Sequence, residues 1–326
     1  MAVFTEVPFD LASALIDRLD IGRLTSLEGC SGGIENTNYF ADTTQGRYVL
    51  TLFERLGFAE LPFYLHLMKH LAARGIPVPG PKADSDGEIL HRVLDKPAAV
   101  VDRLHGSHHL APDVAHTASV GRILARMHLA GADFVLQQPN LRGLGWWLDT
   151  APLVANHLTA GQRELLDNEL LFQQQVAASA PYAALPRGPI HGDLFRDNAM
   201  FDDAGADEVS GVFDFYFAGV DCFIYDIAIC LDDWCVDLDS GRLIEDRAQA
   251  LVDAYDAVRP LSGDEARLLA AMQRAAALRF WISRLWDWHL PRDASLLAPH
   301  DPSHFERVLR HAVEAPWHHQ RAAESR

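Results

Sequence analysis

One short segment has the residue types and the spacing of a phosphoryl-transfer loop. It reads His-Gly-Asp-Leu-Phe-Arg-Asp-Asn from His191 to Asn198, an H-x-D triplet followed by four residues and an asparagine. Such a loop can direct Asp193 at a substrate hydroxyl while Asn198 faces the metal ion of a bound nucleotide. The spacing alone is suggestive, because three fixed residues occur by chance in roughly one chain in a hundred.

A second carboxylate follows at the distance that this chemistry requires. Asp214 comes sixteen residues after Asn198, at the end of the apolar run from Val209 to Phe213. A short hairpin after the loop would return this aspartate to the site as a second metal ligand. The alternative is that Asp214 only forms a turn at the end of a strand. The loop upstream favours the metal role.

A glycine-rich segment lies further upstream, between two predicted strands. Its candidate nucleotide-binding residues are Gly29, Ser31, Gly32, Gly33, Asn36 and Asn38. Glycines let backbone N–H groups approach phosphate oxygens without interference from side chains. A Gly-Gly hairpin by itself is more often only a turn. The order along the chain therefore carries the argument: hairpin, strand and helix, catalytic loop, metal aspartate.

The elements that must position these residues fall into two groups. Before residue 105, hydrophobic spacing predicts helices over 11–19 and 61–73 and strands over 24–27, 39–41, 48–53, 89–93 and 98–104. After it, the pattern predicts helices over 115–129, 161–178, 224–238, 242–258 and 264–289, and short strands over 189–191, 199–201 and 209–213. The sequence thus predicts an α+β chain with two domains, 1–104 and 105–326.

Composition restricts the classes of function. The chain has 326 residues, with 45 acidic against 28 basic residues and a formal charge of -17, which argues against nucleic-acid and membrane-surface roles. No segment approaches eighteen uncharged apolar residues, and the N-terminus lacks the features of a secretion signal. The four cysteines form no C-x-x-C pair, so we expect reduced thiols in a cytoplasmic protein.

These motifs, in this order, resemble the aminoglycoside-phosphotransferase and choline-kinase superfamily. Longer strings resemble the bacterial homoserine kinases within it: Gly33–Phe40, Val49–Glu54, Leu61–Phe63, Asp214–Ala218 and Ala277–Phe280. The likeness extends from the first residues to about His311. It implies a two-lobed protein-kinase-like fold. The small N-terminal lobe would bind nucleotide with an antiparallel sheet plus a helix, and the larger, mainly helical C-terminal lobe would carry the catalytic and acceptor sites.

The resemblance also implies a role for each residue of the motifs. Asp193 would be the catalytic base, and Asn198 and Asp214 would hold Mg²⁺ bridging the phosphates of ATP. His191 would brace the loop by hydrogen bonding. Asp226 would support the loop, although a carboxylate at a helix N-terminus, stabilised by the helix dipole, is an equally good interpretation.

Two departures from the kinase pattern stand out. Protein kinases carry a lysine on the third strand, whereas Thr51 occupies that position here, as it also does in the homoserine kinases used for comparison. Arg196 replaces an expected proline, and would contact either phosphate or its neighbour Asp197. The backbone of the lobe connector, represented by Val101 and Leu104, would bind adenine.

The acceptor residues remain open at this stage. Homoserine offers a carboxylate, an ammonium group and a primary hydroxyl, so its site needs a bidentate cation and one or two carboxylates near Asp193. Arg279 or Arg284 is the candidate for the carboxylate. The candidates for the ammonium group are Asp232, Asp233 and Asp287.

The expected activity is therefore ATP-dependent phosphorylation of homoserine, with ATP and Mg²⁺ as cofactors. One alternative is a kinase for another small alcohol, such as choline, an amino sugar or an aminoglycoside. A second alternative is an inactive kinase-like binding module, because the strand lysine of protein kinases is missing here. The sequence does not predict the oligomeric state.

Overall fold

Two sets of elements make up the chain in the computed structural model, which describes residues 4–30, 36–203, 205, 207–290 and 299–321. One unit comprises Met1–Gly106 together with Ser210–Phe213, and the other comprises Ser107–Val209 and Asp214–Arg326. The division along the chain lies close to residue 104, where the sequence placed it. The short segment Ser210–Phe213 is the part that the sequence assigned differently.

A five-stranded antiparallel sheet forms the first unit. Its elements are α1 (Phe9–Arg18), β1 (Leu24–Gly29), β2 (Asn36–Thr43), β3 (Arg47–Phe53), α2 (Pro62–Ala73), β4 (His91–Val93) and β5 (Lys96–Asp102). The strand order is β1-β2-β3-β5-β4. Successive side chains along each strand point to opposite faces of the sheet, so one face is apolar. This face packs against the buried residues of α1, which are Ala12, Leu15 and Ile16. The predicted antiparallel sheet with a helix is confirmed.

Helices dominate the second unit. They are α3 (Val114–Ala130), α4 (Leu144–Val154), α5 (Ala160–Ala177), α6 (Ala180–Ala183), α7 (Phe223–Trp234), α8 (Glu245–Val258), α9 (Gly263–His289) and α10 (Ser303–Glu314). Four short strands stand between α6 and α7: β6 (Arg187–Ile190), β7 (Ala199–Phe201), β8 (Val209–Val212) and β9 (Gly219–Cys222). Strand β6 pairs with β9, whereas β8 falls almost entirely within the first unit.

The helical core depends on close backbone approach at one crossing. Helix α3 packs on α8, and a Cβ atom added at Gly121 would lie 2.1 Å from the carbonyl oxygen of Leu251. Helix α9 packs on both α7 and α10. This arrangement fixes α7 and α9 side by side, and both helices contribute residues to the candidate site.

Sequence periodicity missed several elements of the second unit. Helices α4 and α10 and strand β9 were not predicted, and α7 ends four residues before the predicted end at Leu238. Helix α4 carries Pro152 in its interior, which lowers its helical signal. The pattern for α10 was present, because its buried residues Phe305, Val308, Leu309 and Ala312 have helical spacing.

Two further expectations concern the whole chain. All four cysteines, Cys30, Cys222, Cys230 and Cys235, are buried free thiols, as predicted. Among the helices that the structure describes, none combines the length and apolar character needed to cross a bilayer.

Candidate active site

The predicted catalytic loop connects β6 to β7 and folds as two consecutive tight turns. The Phe195 N–H donates to the Asp193 carbonyl at 2.8 Å, and the Asn198 N–H donates to the Phe195 carbonyl at 2.9 Å. Trp234 of α7 donates its indole N–H to the Leu194 carbonyl at 2.9 Å. Asp193 and Asn198 are therefore brought to the same side of a short loop that is anchored to α7.

Asp226 holds the start of this loop. It is fully buried in the first turn of α7, and its carboxylate accepts the His191 N–H at 2.7 Å and the Gly192 N–H at 2.9 Å. The Nε2 atom of buried His128 lies 3.1 Å from the same carboxylate, and His128 Nδ1 lies 2.7 Å from the Tyr255 hydroxyl. The predicted supporting role of Asp226 is confirmed.

The protonation states of this buried network follow from its geometry. Burial raises the pKa of Asp226, but hydrogen bonds from His128 and the loop more than offset that effect, so the pKa is lowered overall. Burial lowers the pKa of His128 below its usual value near 6.5. A neutral imidazole that donates Nε2–H to a carboxylate and accepts the Tyr255 hydroxyl satisfies all three side chains.

His191 and Gly192 fit the loop against the residues that follow Asp214. The Asp193 N–H donates to His191 Nδ1 at 3.2 Å, a hydrogen bond within the loop of the kind expected for His191. The His191 ring packs on Phe215, with 4.5 Å between ring centroids. Gly192 has φ +75°, and a Cβ atom there would lie 2.6 Å from the Phe217 carbonyl oxygen. Only glycine satisfies both constraints without displacement.

Asp193 presents a partly exposed carboxylate between an amide and a guanidinium group. Its side chain is 16% exposed. Asn198 Nδ2 donates to the Asp193 carbonyl at 2.8 Å and lies 3.5 Å from Oδ2, while Arg279 Nη1 lies 3.3 Å from Oδ1. Burial raises the pKa of Asp193, and the positive charge of Arg279 opposes the rise. This carboxylate can accept a hydrogen bond from a hydroxyl group.

Asp214 occupies a left-handed backbone conformation immediately after β8. Its φ of 64° and ψ of 59° precede a single 3-10 turn over Phe215–Phe217. A non-glycine residue costs roughly 1–2 kcal/mol in this region, and such strain concentrates at functional sites. Burial raises the pKa of Tyr216 and the charge of Asp214 adds to that rise, which places the carboxylate near the phenol.

Asn198 and Asp214 supply oxygen ligands of the kind that Mg²⁺ prefers. The amide nitrogen of Asn198 is directed to Asp193, which leaves its amide oxygen for a cation. In the parts of the chain that the structure describes, no three His, Cys, Asp or Glu side chains form a metal-binding cluster. An Mg²⁺ ion usually takes only one or two protein ligands and completes its shell with phosphates and water. The residues therefore fit that ion.

The contacts of Arg196 match neither of the two that the sequence predicted, with phosphate or with Asp197. Its backbone N–H and Nε donate to Asp233 Oδ2 at 2.8 and 3.1 Å, and Nη1 donates to the Leu110 carbonyl at 3.0 Å. Both side chains are largely buried. Arg196 is thus a structural residue that ties the loop to the end of α7, rather than a ligand of phosphate or of Asp197.

The candidate acceptor residues lie in different environments. Arg279 of α9 is buried beside Asp193, whereas Arg284 is half-buried, with its guanidinium 4.4 Å from the Phe305 ring. Asp232 is fully buried near Gln273, where burial raises its pKa well above the usual range and favours the neutral acid. Asp233 is paired with Arg196, and Asp287 is exposed.

In the first unit, several predicted nucleotide-binding residues share the sheet face opposite α1. Asn38 lies opposite Thr51 in the β2–β3 pairing, and Thr51 donates to Asn38 Oδ1 at 2.7 Å. Asn36 and Val101 point to the same face because of the strand alternation. Gly29 ends β1 opposite Tyr39. Ser31, Gly32 and Gly33 lie outside the described residues.

The lysines of the first sheet have carboxylate partners of their own. Lys82 lies 2.6 Å from Asp102. Lys96 pairs with Glu54, which comes directly after β3. Burial raises the pKa of Glu54, but hydrogen bonds from Lys96 and two threonines outweigh that effect, so the pKa is lowered overall. Leu104 packs against Gly211, which belongs to the same unit.

Sequence reasoning missed three residues near Arg279. The Arg279 guanidinium lies 5.1 Å from the ring of Phe217, and the Arg142 guanidinium lies 5.8 Å from the same ring. Tyr225, next to Asp226 on α7, is buried and lies within the electrostatic influence of Arg279. Phe217 lies within the Asp214–Ala218 string, but no pattern in the sequence links it to Arg142 or Arg279, because only the tertiary fold brings their guanidinium groups to its ring.

Comparison with known proteins places this geometry among phosphotransferases. Residues 26–261 match the model of the phosphotransferase enzyme family. The chain is 62% identical to a homoserine kinase of Polaromonas naphthalenivorans over 317 residues, which covers 97% of this chain and 99% of that protein. It is 56% identical to a homoserine kinase of Cupriavidus pinatubonensis, covering 95% of this chain and 96% of that one.

Solved structures show the same fold at low sequence identity. Amicoumacin kinase, in a complex with AMP-PNP, Ca²⁺ and its ligand, superposes with a TM-score of 0.64 at 16% identity, covering 94% of this chain and 93% of that chain. A putative aminoglycoside phosphotransferase from Ralstonia eutropha gives a TM-score of 0.65 at 17% identity, with coverages of 94% and 96%. The kinase-like fold expected from the sequence is confirmed.

Proposed function

Because this chain belongs to the phosphotransferase enzyme family, we propose that it transfers the γ-phosphoryl group of ATP to the hydroxyl of L-homoserine. The product is O-phospho-L-homoserine, an intermediate of threonine biosynthesis. One observation carries the proposal: a chain so similar to homoserine kinases presents the partly exposed carboxylate of Asp193, braced by Asn198 and Arg279.

Asp193 orients the acceptor hydroxyl for in-line attack on the γ-phosphorus. The new bond joins the homoserine oxygen to phosphorus, the bond from phosphorus to the ADP oxygen breaks, and the hydroxyl proton passes to Asp193. Burial raises the pKa of this carboxyl, which makes it a better proton acceptor than an exposed aspartate. Phosphoryl transfer depends mostly on positioning and charge, so a fixed loop suits the chemistry.

Asn198 and Asp214 are the residues that would hold Mg²⁺, through an amide oxygen and a carboxylate. When bound, the ion would neutralise part of the charge of the ATP phosphates. Support comes from the hydrogen bond that directs the Asn198 amide nitrogen to Asp193, and from the fixed backbone of Asp214.

The first unit would bind the nucleotide. Its candidates are the hairpin residues Gly29, Ser31, Gly32 and Gly33, the polar pair Asn38 and Thr51 with Asn36, and the connector backbone at Val101 and Leu104. Support comes from the shared sheet face of Asn36, Asn38, Thr51 and Val101. Because no lysine stands at Thr51, we expect Mg²⁺ and backbone N–H groups to meet the phosphate charge.

The acceptor's charged groups would meet residues of α9. Arg279 or Arg284 would bind the carboxylate, and both have charges that act on Asp193 or on its neighbours. For the ammonium group, the candidates remain Asp232, Asp233 and Asp287, of which Asp232 is buried, Asp233 is paired with Arg196 and Asp287 is exposed. A cytoplasmic location stays a prediction from the sequence.

A coupled ADP-release assay tests the function directly. We expect homoserine to be preferred over serine, choline and kanamycin by at least about 100-fold in kcat/KM, with the phosphoester detected by ³¹P NMR. Loss of general-base catalysis typically costs about 10²–10⁴-fold, so Asp193→Asn should lower kcat by that factor and leave ATP binding intact. Asp197→Asn is the matched control, because Asp197 is an exposed carboxylate of the same loop. Absence of homoserine-dependent turnover would refute the proposal, and turnover that survives Asp193→Asn would refute the assigned base.

A further inference from the structure

A nearly buried ion pair closes the corner between α8 and α9. Arg259 directly follows α8 and donates from Nη1 to Oε1 of Glu265, in the first turn of α9, at 2.8 Å. Their side chains are 12% and 1% exposed. The Arg259 guanidinium also lies 4.6 Å from the ring of Phe223, the first residue of α7. An ion pair and an aromatic ring therefore hold this guanidinium in one place.

The same guanidinium fixes the direction of a hydrogen bond at Tyr255. Arg259 Nη1 lies 3.3 Å from the hydroxyl oxygen of Tyr255, which is fully buried one turn earlier in α8. A guanidinium group can only donate, so the hydroxyl oxygen accepts this bond. The single hydroxyl hydrogen then goes to His128 Nδ1, which lies 2.7 Å away. Tyr255 is therefore a donor to His128 and not an acceptor.

The hydrogen bond from Tyr255 decides where His128 carries its own hydrogen. A ring nitrogen that accepts a hydrogen bond has none, so the hydrogen of the neutral imidazole is on Nε2. Nε2 faces Asp226 Oδ2 at 3.1 Å, and a carboxylate can only accept. The ring of Phe223 stacks on the imidazole with 4.5 Å between centroids, which restricts its rotation. His128 thus presents a fixed N–H donor to Asp226.

These contacts form a one-way series of hydrogen bonds that ends at the catalytic loop. Each side chain donates to the next, and the last, a carboxylate, accepts the N–H groups of two consecutive loop residues at 2.7 and 2.9 Å. The next residue of the loop is Asp193. A shift of the carboxylate would therefore move the backbone next to the candidate base. In the order of donation, the members are Arg259, Tyr255, His128 and Asp226.

We infer that Arg259 and Tyr255 are positioning residues for phosphoryl transfer, which act on the catalytic loop through His128 and Asp226. The inference rests on the proposed function and adds two residues of the α8–α9 corner to its machinery. A network that only stabilised the packing of the helices would lower Tm when broken but would leave kcat unchanged. The two roles therefore predict different kinetics.

Replacement of Tyr255 by phenylalanine removes the hydroxyl and keeps the ring. Because a displacement of about 1 Å at an active site can cost about 100-fold, a smaller shift of the loop should lower kcat for homoserine by roughly tenfold. KM for homoserine and for ATP should change less than about twofold, since Tyr255→Phe leaves the binding residues in place. Steady-state kinetics at 20 °C measure both. The matched control is Tyr39→Phe, which removes another buried phenolic hydroxyl, one that bonds Val7 and Thr5 in the first unit, and it should keep kcat.

A double-mutant cycle tests whether Tyr255 acts through His128. In the His128→Leu background, Tyr255→Phe should change kcat by less than about twofold, because the series is already broken. A loss of the same factor in both backgrounds would overturn the inference. An unchanged kcat in Tyr255→Phe, or an equal loss of kcat in Tyr39→Phe, would overturn it as well.

NMR of the histidine rings tests the same series without turnover. In protein with ¹⁵N-labelled histidine at about pH 8, the His128 signals should show the hydrogen on Nε2 and a hydrogen-bonded Nδ1. Tyr255→Phe should remove only the hydrogen bond at Nδ1. A wild-type ring with its hydrogen on Nδ1 would overturn the inference. The expected NMR signals in a chain without homoserine-dependent turnover would instead refute the proposed function.

Discussion

Replacement of Asp226 by asparagine tests how the catalytic loop is held. Asn has the same size but loses the charge, and it keeps only one side-chain oxygen for the N–H groups of His191 and Gly192. Its NH₂ group would face a backbone donor in a site where Asp226 is fully buried. We therefore expect the loop to shift and the chain to lose stability.

The magnitude follows from the bonds that are lost. One charge-assisted hydrogen bond contributes about 1.5–3 kcal/mol, and one buried donor left unsatisfied costs about 1–3 kcal/mol. The expected loss is roughly 3–5 kcal/mol in the free energy of unfolding, which corresponds to a fall of roughly 4–7 °C in Tm for a chain of 326 residues. A displacement of the loop by about 1 Å would lower kcat by up to about 100-fold.

Calorimetry and steady-state kinetics at 20 °C measure the two effects separately. The control is Glu169→Gln, which breaks a buried carboxylate–guanidinium pair with Arg274 between α5 and α9, away from the loop. Both variants should lose stability, but only Asp226→Asn should lower kcat for homoserine by about tenfold or more. If the two variants lost kcat equally, or if Asp226→Asn kept wild-type kcat, the supporting role of Asp226 would be wrong.

Two further predictions concern stability. Gly121→Ala should destabilise the chain by several kcal/mol in denaturant unfolding, because its Cβ atom would lie 2.1 Å from the Leu251 carbonyl oxygen. Gly145→Ala, with nothing within 4 Å of the new methyl group, should be neutral or stabilising. The lowered pKa values of His128 and Asp226 mean that the unfolded chain binds protons that the folded chain excludes. Tm should therefore fall as the pH drops below about 6.5 and again below about 4. A Tm that stayed constant between pH 7 and 5 would contradict the neutral His128.

The candidate phosphoryl-transfer residues could be proposed from the sequence because they belong to one loop and one turn. The spacing from His191 to Asn198 is local, so the two tight turns that join Asp193 to Asn198 are properties of that segment. Asp226 was identified through its resemblance to a known supporting aspartate. The hydrogen bonds from His191 and Gly192 explain why a carboxylate is needed at that position.

The acceptor side was less predictable because its contacts join distant parts of the chain. Arg279 reaches Asp193 across 86 residues, and Arg196 reaches Asp233 across 37 residues. The sequence placed Arg196 near phosphate or Asp197, since the only carboxylate visible from local spacing was its neighbour. Nothing in a linear pattern indicated that the end of α7 would supply Asp233 instead.

The pairing of Arg196 with Asp233 leaves Arg279 as the guanidinium group in contact with Asp193. Arg196 is the closest arginine to Asp193 in the sequence, but its guanidinium group donates hydrogen bonds to Asp233 and to the Leu110 carbonyl. Helix α9 supplies a guanidinium group to Asp193 from outside the loop, 86 residues further along the chain. Under the proposed function, the loop would fix where phosphoryl transfer occurs, and α9 would contribute to the choice of the alcohol.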